Sequence, residues 1–160
     1  MGKQHEGEGL HLDFLSQLTR QDKNELYLIG RKRIFEKNDY IFKAGDSDSN
    51  VWILTRGRVK VYKSSAKGRH ILLWFALSGD IFGMAECMQG RTRMVYARAA
   101  EATEGISIQH DQFKKWVSAH PEIAYIIMKL VTIRMREIGQ RFFVLPTAIY
   151  KWRSHNFCSG

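Results

Sequence analysis

Cysteine is scarce: the chain holds two, Cys87 and Cys158, far apart and with no CxxC pair. That excludes a four-cysteine iron–sulfur cluster within one chain and points to a reducing compartment. Long apolar runs are missing too. The most apolar stretch, residues 123–133, is interrupted by Lys129 and followed by Arg134. It is too short and too charged to span a bilayer, so no membrane association is expected. No apolar segment follows Met1, so no signal peptide is expected and the location is read as cytoplasmic. His5, His11, His70, His110, His120 and His155 are dispersed, with no HExxH. Their spacing suggests neither a metal site nor an enzyme.

Acidic residues are outnumbered. Sixteen Asp and Glu stand against twenty-five Lys and Arg, a formal charge of +9. A basic surface can recruit a phosphate backbone by releasing counterions. Here the basic residues are scattered, and the longest run is Arg31, Lys32 and Arg33. Charge alone does not make a nucleic-acid-binding face.

What is present is ordered. Residues 1–9, "MGKQHEGEG", are polar and Gly-rich and read as a disordered terminus. Leu12, Leu15, Leu18, Leu26 and Ile29 recur at helical spacing. They predict a helical hairpin or broken helix, with Asp22 and Glu25 as a capping box. From Arg33 the period becomes two, and "NVWILTRGRVKVYK" reads as strand, Gly57 turn, strand. "HILLWFAL" reads as a buried strand, and "MVYARAAEATEGISIQH" holds two more. Short strands closed by Gly or Asp argue for a β-sandwich or jelly roll.

After "HDQFKKWVSAHPE" the pattern turns helical. Pro121 suits a first helical turn, and a helix is predicted over 121–145, ended by Pro146. Met128, Val131, Met135, Ile138 and Phe142, with Leu145, step by three and four as a coiled-coil seam. Ile123, Ile126, Ile127, Leu130 and Ile133 form a second apolar face. Two apolar faces need two partners: the body of the domain and a second copy of the helix. The organisation expected is a β-roll with N-terminal helices over 10–120, a dimerisation helix over 121–145 and an irregular tail over 146–160.

This order of elements resembles the cyclic-nucleotide-binding domain of the Crp/Fnr transcription regulators. The likeness covers roughly residues 10–143. It rests on "FKAGD" at 42–46, "VWILTRGRVKVY" at 51–62 and "GDIFG" at 79–83. It implies a mainly β fold, a cyclic-nucleotide-binding-type β-roll followed by a long dimerisation helix. Gly45, Gly57 and Gly79 would serve turns that cost other residues strain.

The resemblance also implies a ligand site. Binders of this family carry a cassette resembling F-G-E-[LIM]-A-L, then a loop and an arginine that takes the phosphate. Here the segment reads "FGMAECMQGRTRM". Gly83 matches, Arg93 takes the phosphate-arginine position, and Arg91 with Thr92 offers an alternative register. Met84 stands where a glutamate would accept the ribose hydroxyl. Ala85 follows, and Glu86 stands where a small residue would face the phosphate. A carboxylate there would repel a phosphate or pair with Arg93. Met94, after the arginine, is expected to crowd the pocket. The candidate pocket is therefore Gly83, Met84, Ala85, Glu86, Arg91, Thr92, Arg93 and Met94.

The expectation is an effector-sensing regulatory domain, not an enzyme, acting as a homodimer. Its small-molecule effector is expected to differ from cAMP and cGMP, and no cofactor is assigned; a haem through Cys87 or a histidine is the less favoured possibility. A genuine cyclic-nucleotide module and a non-sensing interaction domain are the alternatives. Such regulators read DNA through a following helix-turn-helix, which the residues after the helix are too few to form.

Overall fold

A computed structural model of the chain describes residues 12–143, with side chains through Gln140. The expected disordered terminus (1–9) and irregular tail (146–160) lie outside the described residues, as does Leu145. The chain divides into two compact units, 1–130 and 131–160.

The first unit opens with a short 3-10 turn, Leu15–Gln17, and helix α1, Arg20–Ile29. α1 begins three residues earlier than its sequence suggests. Thr19 is the N-cap: its hydroxyl accepts the Asp22 N–H, and the Asp22 carboxylate accepts the Thr19 N–H. The capping box is therefore Thr19–Asp22, not Asp22–Glu25. Asp satisfies the reciprocal bond that Glu or Gln more often makes, so the pattern is easily missed.

Eight strands follow: β1 Arg31–Phe35, β2 Tyr40–Phe42, β3 Asn50–Arg56, β4 Arg58–Ser64, β5 His70–Leu77, β6 Ile81–Phe82, β7 Tyr96–Ala99 and β8 Thr103–Gln109. They pair antiparallel in two four-stranded sheets, ordered β1-β8-β3-β6 and β2-β7-β4-β5. This is the expected β-roll. At the β3–β4 turn Gly57 has φ +90°, and a Cβ there would lie 2.6 Å from the Ala102 carbonyl oxygen. Both the backbone angle and the space demand glycine.

β5 departs from expectation. "HILLWFAL" is an edge strand, and of its residues only Ala76 is buried. Apolar residues on both faces suggested a buried strand, but at the sheet edge most of them stay half-covered. Trp74 still packs inward.

β3 separates two cores, because successive side chains point to opposite faces. Val51 and Ile53 join Phe14, Leu26, Ile106, Ile108, Phe113, Trp116 and Ile123 on the helical side. Trp52 and Leu54 join Phe42, Val59, Val61, Ala76, Phe82 and Ala97 inside the roll. Short helix α2, Met84–Gln89, follows β6. Helix α3, His110–Ala119, is a separate element before the predicted long helix. Its Phe113 and Trp116 are buried in the helical-side core.

Helix α4 runs Pro121–Phe143, with Pro121 at its first position as expected. In the first unit Ile123 is fully buried, and Ile126, Ile127 and Leu130 pack on the helical-side core. Tyr125 and Met128 are exposed at 68% and 59%. The described part of the second unit is the continuation of α4. There Val131, Ile133 and Met135 are exposed and Ile138 is half-buried. Ile133 was expected to be covered. The side chain of Phe142 lies outside the described ones. Among the described residues, no helix is long and apolar enough to cross a membrane.

Candidate functional site

The centre of the candidate site is a buried arginine. Arg93 lies in the connection between α2 and β7, and its side chain has no exposed surface. Its backbone is clipped to the turn after β2. The Arg93 N–H donates to the Asp46 carbonyl (2.9 Å), and the Gly45 N–H donates to the Arg93 carbonyl (2.8 Å). Gly45 has φ +93°, and the Asp46 carboxylate accepts the Lys43 N–H at 2.8 Å. "KAGD" is thus a folded loop that fixes where Arg93 enters the core.

A buried guanidinium must be paired and hydrogen-bonded. Arg93 Nε and Nη2 donate to Asp48 Oδ2 at 3.1 and 2.9 Å. Nη1 donates to the Gly83 carbonyl at 2.6 Å, and Nη2 also donates to the Asn50 carbonyl. Glu86 Oε2 stands 3.8 Å from Nη1. The Phe42 ring lies 4.1 Å from the guanidinium carbon, a cation–π contact. A guanidinium has five N–H donors, and these four bonds with the nearby Glu86 occupy the fork. Asp48 is held in turn, with Oδ1 accepting the Asn50 N–H and side-chain amide at 2.8 and 2.6 Å.

Gly83 makes this approach possible. Its φ is +76°, and a Cβ would stand 3.2 Å from Arg93 Nη1 and 3.3 Å from the Phe42 ring. Glu86 is buried, and its Oε1 accepts the Met94 N–H at 3.2 Å. Cys87 is buried beside it and donates to the Gly83 and Asn50 carbonyls at 3.2 and 3.6 Å. Burial pushes its thiol pKa up, against the pull of the Arg93 charge.

Aromatic side chains pack inside the roll. Phe35 meets Trp52 edge-on at 5.6 Å, Phe42 lies 6.2 Å from Phe82, and Trp74 meets Phe82 at 6.4 Å. Among the described residues, the buried Trp52 indole N–H has no hydrogen-bond partner.

The structure thus gathers three of the sequence-predicted site residues, Gly83, Glu86 and Arg93. Met84 packs against the helical-side core. Ala85, Arg91 and Thr92 are exposed. Met94 is 52% exposed, so it does not crowd the interior; its backbone N–H is turned inward to Glu86 instead. Asp48, Asn50 and Phe42 were missed as site residues. The signal was available in "GDSDSN", where closely spaced acids precede a strand without any basic residue beside them.

A family profile described as "Cyclic nucleotide-binding domain" matches residues 32–120. The chain belongs to this family. Among curated members it is similar to a CRP-like cAMP-activated global transcriptional regulator of Mycobacterium tuberculosis. That match is 24% identical over 102 residues, 64% of this chain and 46% of the relative. It is also 26% identical over 129 residues to an anaerobic regulatory protein of Haemophilus influenzae, covering 80% and 50% of the two. The chain spans about half the length of the curated relatives it matches. These are transcription regulators of Crp/Fnr type. Among solved structures it is similar to the Thermus thermophilus catabolite activator protein, with TM-score 0.71 and 20% identity over 82% of this chain and 62% of that one. The c-di-GMP-responsive regulator CLP of Xanthomonas campestris gives TM-score 0.75 and 17% identity, covering 81% and 66%. At these identities the structures speak for a cyclic-nucleotide-binding-domain fold.

Proposed function

We propose that the chain is the signal-receiving domain of a Crp/Fnr-type regulator, and that its effector is not a cyclic nucleotide held through the cassette arginine. One observation carries this reading: Arg93 is already neutralised. Asp48, two carbonyls and Glu86 surround it, so a phosphate would have to displace Asp48 and face the Glu86 carboxylate. Met84, in place of a ribose-binding glutamate, points the same way. Calorimetric titration of the chain with cAMP and cGMP is the test. The expected result is no binding at micromolar concentrations. Micromolar binding that vanishes in Arg93→Ala would overturn the reading.

An effector here acts by shifting α4 between two arrangements. We take α4 as the dimerising element, because Met128, Val131 and Met135 leave apolar surface exposed along it. Ile138 and Phe142 continue the same row in the sequence. DNA recognition is assigned to a reader outside this domain.

A second reading is favoured by the aromatic packing inside the roll. With Trp52, Trp74, Phe42 and Phe82 packed inside, the roll can serve as scaffold alone, with α4 recruiting a partner. A metabolite screen by thermal shift separates the two. A ligand that stabilises the wild type but not Gly83→Ala favours sensing, and no stabilising ligand favours scaffold.

A further inference from the structure

A second cluster lies outside the roll, where α1 meets the junction of α3 and α4. Asp22 and Glu25 are three residues apart on α1 and therefore share a face. His120 is the C-cap of α3 and immediately precedes Pro121. Its Nε2 lies 2.9 Å from Glu25 Oε2 and 4.0 Å from Asp22 Oδ1. One ligand atom from each residue falls within 4.8 Å of the other two. Ligand atoms around a tetrahedral zinc ion stand roughly 3.3 Å apart, given metal–ligand bonds of about 2.0–2.1 Å.

Each of the three is oriented by a group outside the cluster. His120 Nδ1 is 2.8 Å from the Trp116 carbonyl, which orients the ring, and its Nε2 faces the Glu25 carboxylate, so an arriving ion takes the place of the proton that Nε2 shares with Glu25. The Trp116 indole N–H donates to Glu25 Oε2 at 3.1 Å. Asp22 Oδ2 accepts the Thr19 N–H and hydroxyl at 3.1 and 2.6 Å. These are the supports that metal-ligating imidazoles and carboxylates ordinarily have. Asp22 is 8% exposed, and its Oδ1 faces His120 Nε2 at 4.0 Å. That oxygen is the one the Thr19 bonds leave over, and it lies within ligand distance of Glu25 and His120.

We propose that Asp22, Glu25 and His120 form a site for a divalent first-row metal ion, with Zn2+ the best-matched occupant. One imidazole and two carboxylates make a borderline nitrogen–oxygen set, suited to Zn2+ and lacking the thiolates that select softer ions. The two carboxylate charges balance the ion. His120 and Glu25 are partly exposed, which leaves an entry path and a water for the remaining position. The site joins α1 to the root of α4, so a bound ion is an input to the same helix from outside the roll. It is independent of the cassette and stands whether or not the roll binds an effector.

The test is calorimetric titration of the metal-free 160-residue chain with Zn2+, repeated with Co2+ followed by visible absorption. The expected result is a site with micromolar or tighter affinity that raises the melting temperature. Glu25→Gln and His120→Ala each weaken it by at least about tenfold, while His155→Ala leaves it unchanged. Glu25→Gln keeps the side-chain shape and is partly exposed, so it decides the matter should His120→Ala fail to fold. No Zn2+ binding at micromolar concentrations overturns the proposal. So does undiminished affinity in Glu25→Gln, which would assign the ion to other histidines.

Discussion

Replacing Asp48 by alanine should test the Arg93 cluster most directly. The variant removes both bonds from Arg93 to Asp48 Oδ2 and the two from Asn50 to Oδ1. Arg93 stays buried with the Gly83 and Asn50 carbonyls and with Glu86 at 3.8 Å. Removing one partner of a fully buried pair costs about 3–5 kcal/mol. The Asp48 side chain is 26% exposed, so water enters and replaces part of the loss. The expectation is about 2–3 kcal/mol, read as a lower urea midpoint at unchanged m-value. Arg93→Met removes the charge while keeping bulk. The double variant should then cost less than the sum of the singles by about 1 kcal/mol or more. Sulfate should stabilise Asp48→Ala more than it stabilises the wild type, because an anion can take the vacated place beside the guanidinium. A loss under about 0.5 kcal/mol, with additive singles, would refute the claim that Asp48 neutralises Arg93.

Gly57→Ala should destabilise by more than the roughly 1–2 kcal/mol of a left-handed residue, since its Cβ also meets the Ala102 carbonyl; thermal melting checks this. Tyr62, stacked on Tyr96 and bonded to the Tyr40 hydroxyl at 3.3 Å, has its pKa pushed up from 10.0 to about 12 by burial and then by Tyr40. The unfolded chain loses that proton first, so stability should be intact below pH 10 and fall as pH rises towards 12. Tyr62→Phe should flatten this alkaline slope in denaturant titrations. For the proposed α4 dimer, Met135→Glu and Ile138→Asp should shift sedimentation to the monomer, with Met94→Glu as the neutral control. In a Cys158→Ser background, Cys87 should react with thiol reagents more slowly than a free cysteine at the same pH, because burial both shields it and keeps it protonated.

The roll was legible because its turns are written in residue types with few alternatives. Gly45, Gly57 and Gly79 all have positive φ, and period-two alternation between them leaves little choice but strand. The two faces of α4 up to Leu130 were equally plain from spacing. Edge position was not legible: nothing in "HILLWFAL" says which long side of β5 lacks a partner. The Arg93 pairing was half legible. Glu86, seven residues away, was foreseen as a partner, but the closer carboxylate is Asp48, forty-five residues away. Such pairings depend on which loops the topology brings together, and local pattern carries no trace of them. His120 was set aside for the same reason, since its carboxylate neighbours come from α1.

β3 has a consequence for how the molecule comes apart. Its Val51 and Ile53 belong to one core and its Trp52 and Leu54 to the other, so the two cores share one wall. Neither can be exposed to water while the other keeps β3 in place. Loss of either should therefore carry the whole of 12–130 with it in a single cooperative step. Trp116 reports from the helical side, and Trp52 and Trp74 report from inside the roll. Variants that leave only one reporter or the other should melt at one temperature. The slowest amides to exchange their hydrogens should be those of Val51 to Leu54, which open only when everything does.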